Sequence, residues 1–192
     1  MPFIYFHPDI SYQEIKLIEE KYNLNDSEYL INKASDFIIE VLSKGKSKDK
    51  KFLFICGKGS NGLDGIYSCY KLKKLGYQVN IISLDERNIS YLEKFEIKNN
   101  LIKDFKSDDF DCIVDCIFGY GFNRDLNSSY IKLINKINSS RSFIYSVDVP
   151  TGLHPDTGKL CPISVRCDTL ISLISYKRGI FTNQGRDTWR SL

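Results

Sequence analysis

Phe52-Leu53-Phe54-Ile55-Cys56 runs directly into Gly57-Lys58-Gly59-Ser60-Asn61-Gly62-Leu63-Asp64, and this stretch decides the fold. The apolar run has strand length and no alternation, as expected of a strand covered on both faces. The loop behind it is a G-x-G-x-x-G match. The next residues predict a helix from about Asp64 to Leu75, with Gly76 as its C-cap. A strand, a glycine loop and a helix in that order open an α/β sheet.

The same alternation continues downstream. Residues 77–84 predict a second strand, 90–100 a helix, 111–118 a third strand, 128–137 a helix, 142–147 a fourth strand and 168–175 a fifth. Upstream, residues 11–22 predict a helix opened by a Ser11/Glu14 capping box, and a second helix from about Asp26 to Leu42 starts at Asp26 or Ser27. The polar run 43–51 reads as a solvated linker. The expected fold is a three-layer αβα, Rossmann-like domain with a mostly parallel sheet and helices on both faces. At 192 residues one such domain fills the chain.

Right-handed crossovers place every strand-to-helix loop at one edge of such a sheet, where α/β folds bind ligands. Three strands end alike. Cys56 gives way to the glycine loop, Val114 to Asp115 and then Gly119-Tyr120-Gly121-Phe122-Asn123-Arg124-Asp125, and Val147 to Asp148-Val149-Pro150-Thr151-Gly152. The glycine loop lets backbone approach a pyrophosphate at a helix start. Carboxylates at the ends of buried strands need hydrogen bonds, a cation or a catalytic role to offset burial. Asp148 also fits a turn initiator before Pro150, and Asp115 a loop cap. Together with Asn61 and Thr151 they suggest an oxygen-rich pocket for a hard cation. Asp85, about twenty residues beyond the glycines, occupies the position of a ribose-binding acid.

The segments Ser60–Gly65 (SNGLDG), Asp115–Asp125 (DCIFGYGFNRD) and Asp148–Gly158 (DVPTGLHPDTG) resemble the signature loops of the NAD(P)H-hydrate epimerase family, the YjeF amino-terminal domain. Leu30-Ile31-Asn32-Lys33-Ala34 resembles that family's amino-terminal helices. The resemblance implies epimerisation of hydrated NADH or NADPH at the hydroxyl-bearing carbon, with a potassium ion in the pocket. It further implies that Ser60, Asn61, Gly62, Leu63, Asp64, Gly119, Tyr120, Gly121, Phe122, Asn123, Arg124, Asp125 and Asp148 meet the substrate. Asn61, Asp115 and Thr151 would hold the ion. Asp148, a strand-end carboxylate without an evident partner, is the expected acid/base; its replacement by Asn is expected to spare the fold and even to raise stability. Leu63 stands where the family has glycine, Ser60 where it has Asn, and Thr151 where it has Ser. Relative to the family the chain is expected to stop slightly early, with no dehydratase domain behind it.

An NAD-dependent oxidoreductase would also use the glycine loop and Asp85, but no substrate domain follows. A non-catalytic relative is the other alternative, suggested by Leu63. The net charge of +3 and scattered lysines argue against nucleic acid as a partner. No apolar stretch is long enough to cross a bilayer, and the amino terminus lacks the pattern of a signal peptide, so a cytoplasmic protein without a membrane partner is expected. The oligomeric state is open, a homodimer being one candidate. Six cysteines form no CxxC pair and lie mostly in apolar runs, where a thiol acts as a small hydrophobe.

Overall fold

The structure, a computed structural model, describes residues 11–21, 27–102 and 105–192. In chain order the main elements are α1 (Tyr12–Lys21), α2 (Ser27–Ser43), β1 (Lys51–Cys56), α3 (Ser60–Lys74), β2 (Gln78–Ser83), α4 (Ile89–Lys94), β3 (Cys112–Cys116), α5 (Ser128–Asn138), β4 (Phe143–Val147), β5 (Cys167–Ile171) and β6 (Trp189–Ser191). The strands form one sheet in the order β2-β1-β3-β4-β5-β6, and every neighbouring pair is parallel. The chain reverses its direction of travel between β1 and β3, so the switch point lies at their carboxyl ends.

Period-two alternation sorts the strand residues into two cores. Phe52, Phe54 and Cys56 of β1 pack with Ile38 and Leu42 of α2 and Ile66 and Leu72 of α3. Leu53 and Ile55 point the other way, towards Leu133, Ile134 and Ile137 of α5. Both faces of β1 are therefore covered, which is why its run is apolar without a break. All six cysteines are free and buried.

The capping box forms: the Ser11 amide donates to Glu14 Oε2 at 2.8 Å and the Glu14 amide to Ser11 Oγ at 3.4 Å. The start of α2 at Asp26 lies outside the described residues. Gly76, with φ of 86°, ends α3 as expected.

Several elements differ from the sequence reading, among them β5, which ends at Ile171 rather than Ser175, and β3, which ends at Cys116 rather than Phe118. Helix α3 starts at Ser60 rather than Asp64, so Asn61, Gly62, Leu63 and Asp64 are helical and the loop shrinks to Gly57-Lys58-Gly59. The helix after β2 covers only Ile89–Lys94, because Glu96 turns left-handed (φ 51°) and the Ile97 amide closes on the Leu92 carbonyl at 2.9 Å. A sixth, three-residue strand pairs with β5 at the sheet edge.

The early start of α3 depends on Gly62. A Cβ there would stand 1.9 Å from the Gly57 carbonyl oxygen, a backbone atom that cannot swing aside. Gly62→Ala should therefore lower stability by about 1–3 kcal/mol, the usual range for overpacking, as read from the midpoint of urea unfolding. An unchanged midpoint would mean that the helix start shifts freely.

Candidate active site

The carboxyl ends of β1, β3 and β4 meet at the switch point and bring the three loops together. Above them opens a cavity of about 320 Å³, at the small end of the range for ligand sites. Ser60 and Asn61 wall it on one side and Gly119, Tyr120, Gly121, Phe122, Asn123 and Arg124 on the other, with Lys16 and Lys58 at its margin. Eight of the expected substrate residues thus share one cavity. Gly62, Leu63, Asp64, Asp125 and Asp148 do not line it. Leu63 lies within α3, outside the left-handed region, and packs against the core. Its side chain accordingly does not crowd the cavity.

Asp115 is fully buried at the end of β3 and accepts four hydrogen bonds. Thr151 Oγ1 and the Ile117 amide donate to Oδ1 at 2.7 and 3.2 Å, and Ser146 Oγ and the Thr151 amide donate to Oδ2, both at 2.9 Å. Burial pushes its carboxyl up, while these bonds oppose the shift. Thr151 Oγ1 also accepts the Phe118 amide at 3.2 Å, so Asp115 and Thr151 tie the loops after β3 and β4 into one unit.

Asn61 projects from α3 into the same region. Its Nδ2 donates to the Val147 carbonyl at 3.3 Å. Its Oδ1 is buried and has no partner among the described residues. An orphaned buried carbonyl oxygen is the kind of group a hard cation satisfies, and the Thr151 hydroxyl retains a second lone pair. Both are hard oxygen donors, the donor type that a potassium ion takes. The four bonds on Asp115 occupy its lone pairs, so it would serve an ion by charge, or by giving up one of those bonds.

Asp148 is not the unpaired carboxylate that the sequence suggested. Its Oδ1 accepts the Lys177 ammonium, and its Oδ2 accepts the Tyr120 amide at 2.7 Å. Lys177 itself is 1% exposed and donates also to the Leu173 carbonyl at 2.6 Å. Its Nζ lies 5.8 Å from the centre of the Tyr120 ring. The fit around the carboxylate is close: a Cβ on Gly119 would come within 2.7 Å of Asp148 Oδ2. Asp148 also holds a left-handed backbone, φ 71°, uncommon for a residue with a side chain and frequent at functional sites. Sequence reasoning missed Lys177. The available signal was a lysine closing the apolar run Ile171–Tyr176, where only a buried counter-charge would hold it.

Asp85 is engaged elsewhere. Arg87 Nε and Nη2 grip its two oxygens at 2.7 and 2.8 Å, and the Arg87 hydrogen bonds hold the carboxyl down to about 2. A ribose-binding role for Asp85 would have to displace that fork, which removes the specific support for an oxidoreductase. Among the described residues, no helix is long and apolar enough to cross a membrane.

Comparison with known proteins bears on the same loops. The NAD(P)H-hydrate epimerase of Entamoeba histolytica is 32% identical over 186 residues, which cover 90% of this chain and 82% of that protein. The bifunctional NAD(P)H-hydrate repair enzyme Nnr of Thermofilum pendens is 28% identical over 83% of this chain, and there the chain spans only 34% of the relative's length. The crystal structure of yeast ynu0, YNL200c, superposes with a TM-score of 0.71 at 23% identity, over 85% of this chain and 76% of the yeast chain, and shows that the fold is shared. The family described as YjeF-related protein N-terminus matches residues 27–179, from the start of α2 through the lysine that grips Asp148, and the chain belongs to that family.

Proposed function

We propose that this chain is a cytoplasmic NAD(P)H-hydrate epimerase, an isomerase that interconverts the R and S forms of hydrated NADH and NADPH. The observation that carries the reading is the convergence of Ser60, Asn61 and the Gly119–Arg124 loop on one cavity above paired strand-end carboxylates. Relatives bearing that activity by name, over most of their length in the Entamoeba case, support it.

The chemistry asks for little more than proton transfer. Hydration of an enamine double bond puts the hydroxyl on the carbon beside the ring nitrogen. That carbon inverts when the hydroxyl leaves as water and water returns on the opposite face. A proton must be given to the departing oxygen and taken from the arriving one. The start of α3 and Lys58 offer amides and positive charge to the pyrophosphate. In this reading the substrate rests against Gly119 and Tyr120, which are packed on the Asp148 carboxylate. Asn61 Oδ1 and Thr151 Oγ1, with the charge of Asp115, would hold potassium, which when bound supplies positive charge that joins the three loop ends.

Incubation with hydrated NADH of one configuration should yield the other epimer, followed by chromatography. Hydride transfer, or binding without conversion, would sink the reading. Dinucleotide affinity should be several-fold tighter in potassium than in sodium-only buffer, and Asn61→Ala should abolish the difference. Equal affinity in both buffers for the parent chain would count against an ion at Asn61.

A further inference from the structure

Asp64 is a second carboxyl beside Asp148, one helical turn beyond Asn61 on the same side of α3. It is 7% exposed, and among the described residues no hydrogen-bond donor reaches its carboxyl. Its oxygens are not among the sealed, unpartnered atoms of the interior, as Asn61 Oδ1 is, so the carboxyl keeps a narrow opening through which a proton can pass. The charged and titratable groups around it are few. Asp148 stands across from it at the end of β4, paired with Lys177, and the thiol of Cys116 on β3 lies nearby with that of Cys56 on β1, both against Gly65. Burial first, and the Asp148 charge second, push the Asp64 carboxyl up to about 8. The helix start would favour its ionised form, but burial outweighs that effect.

We infer that Asp64 is the proton-exchanging carboxyl of this site, and that Asp148, gripped by Lys177 and the Tyr120 amide, is its ion-paired partner. Each oxygen of Asp148 already receives a donor, and moving a proton onto it would break one of those bonds. Asp64 has no such bond to lose. The division of roles therefore rests on hydrogen bonding: Asp148 is held by two donors and Asp64 by none among the described residues.

The inference rests on the epimerase reading. As the C–O bond of the hydroxyl-bearing carbon breaks, the Asp64 O–H passes its proton to the departing oxygen, and water leaves. The ring-nitrogen lone pair becomes the second carbon–nitrogen bond, and Asp64 is left a carboxylate. Water then adds to the opposite face, the new bond pair returns to nitrogen as its lone pair, and the surplus proton is lost from that face to solvent while Asp64 regains a proton from solvent on its own side. Nothing is oxidised or reduced, and no co-reactant is consumed.

The test is Asp64→Asn, assayed for epimer interconversion and for binding of hydrated NADH, with potassium present throughout. Turnover should fall by about two to four orders of magnitude while binding is retained. In the parent chain kcat should decline as pH rises past about 8, and the double variant Asp148→Asn/Lys177→Met should move that decline to lower pH. Near-parental turnover in Asp64→Asn overturns the assignment, and so does a loss of turnover matched by an equal loss of binding. A parent chain that leaves both epimers unchanged overturns the activity, and the assignment falls with it; interconversion by the parent with undiminished interconversion by Asp64→Asn overturns the assignment alone.

Discussion

Asp148→Asn should unfold at a much lower urea concentration than the parent chain, with a loss of about 3–5 kcal/mol, the usual effect of removing one partner of a buried ion pair. The side chains of Asp148 and Lys177 are 6% and 1% exposed, so the stranded ammonium would have almost no water to turn to. The backbone is not the cause. Asn tolerates the left-handed conformation that Asp148 holds and can still accept the Tyr120 amide. Lys177→Met should lose a similar amount by stranding the carboxylate. Combining the two should recover most of the stability, because replacing both members of a buried pair by groups of like volume is often neutral. Simple addition of the two losses in the double variant would show that the pair does not act as a unit. This outcome replaces the sequence-based expectation that Asp148→Asn would spare the fold or even stabilise it.

A second large effect is the response of stability to pH when Asp64 is replaced. The folded chain holds a proton on Asp64 up to about pH 8, whereas an unfolded aspartate releases its proton near pH 4. Between those limits the folded state binds more protons than the unfolded one, so the contribution is fully present below about pH 4 and is lost as pH rises to 8. The slope approaches about 1.4 kcal/mol per pH unit. Asp64→Asn has no proton to lose, so its stability relative to the parent should climb across that window and level off above it. Taking the difference between the two chains matters, because Asp115 is shifted up as well. A difference that stays flat from pH 4 to 8 would show that Asp64 is ionised in the folded state.

The sheet was largely legible in the sequence because β1, β3 and β4 are runs with both faces buried, and each ends abruptly in Gly or Asp. The convergence of their loops followed from crossover handedness alone. The start of α3 was less legible. Its N-cap is Gly59, which offers no side-chain bond, and Gly62 in the first turn weakens the helical pattern. The end of α4 was hidden for a related reason, since Glu96 takes a left-handed turn more often marked by Gly or Asn. The edge strand β6 has three residues, too few for a period to show. The resemblance supplied the cavity walls Ser60, Asn61 and Gly119–Arg124, whereas the grip of Lys177 on Asp148 spans 29 positions, and a lysine behind Ile171–Tyr176 names no partner.

Five of the six free thiols give the chain a memory of its own openings. Burial pushes Cys112 up to about 11, Cys167 up to about 12, and Cys69, Cys116 and Cys161 above their ordinary value as well. The thiolate is the form that attacks oxidants and disulfides, so these sulfurs are nearly silent while the sheet is closed. Each becomes reactive only when the element carrying it comes apart. An oxidised or alkylated cysteine among these five is therefore a record that a particular strand, helix or, at Cys161, loop once stood open to solvent, and its position says which one.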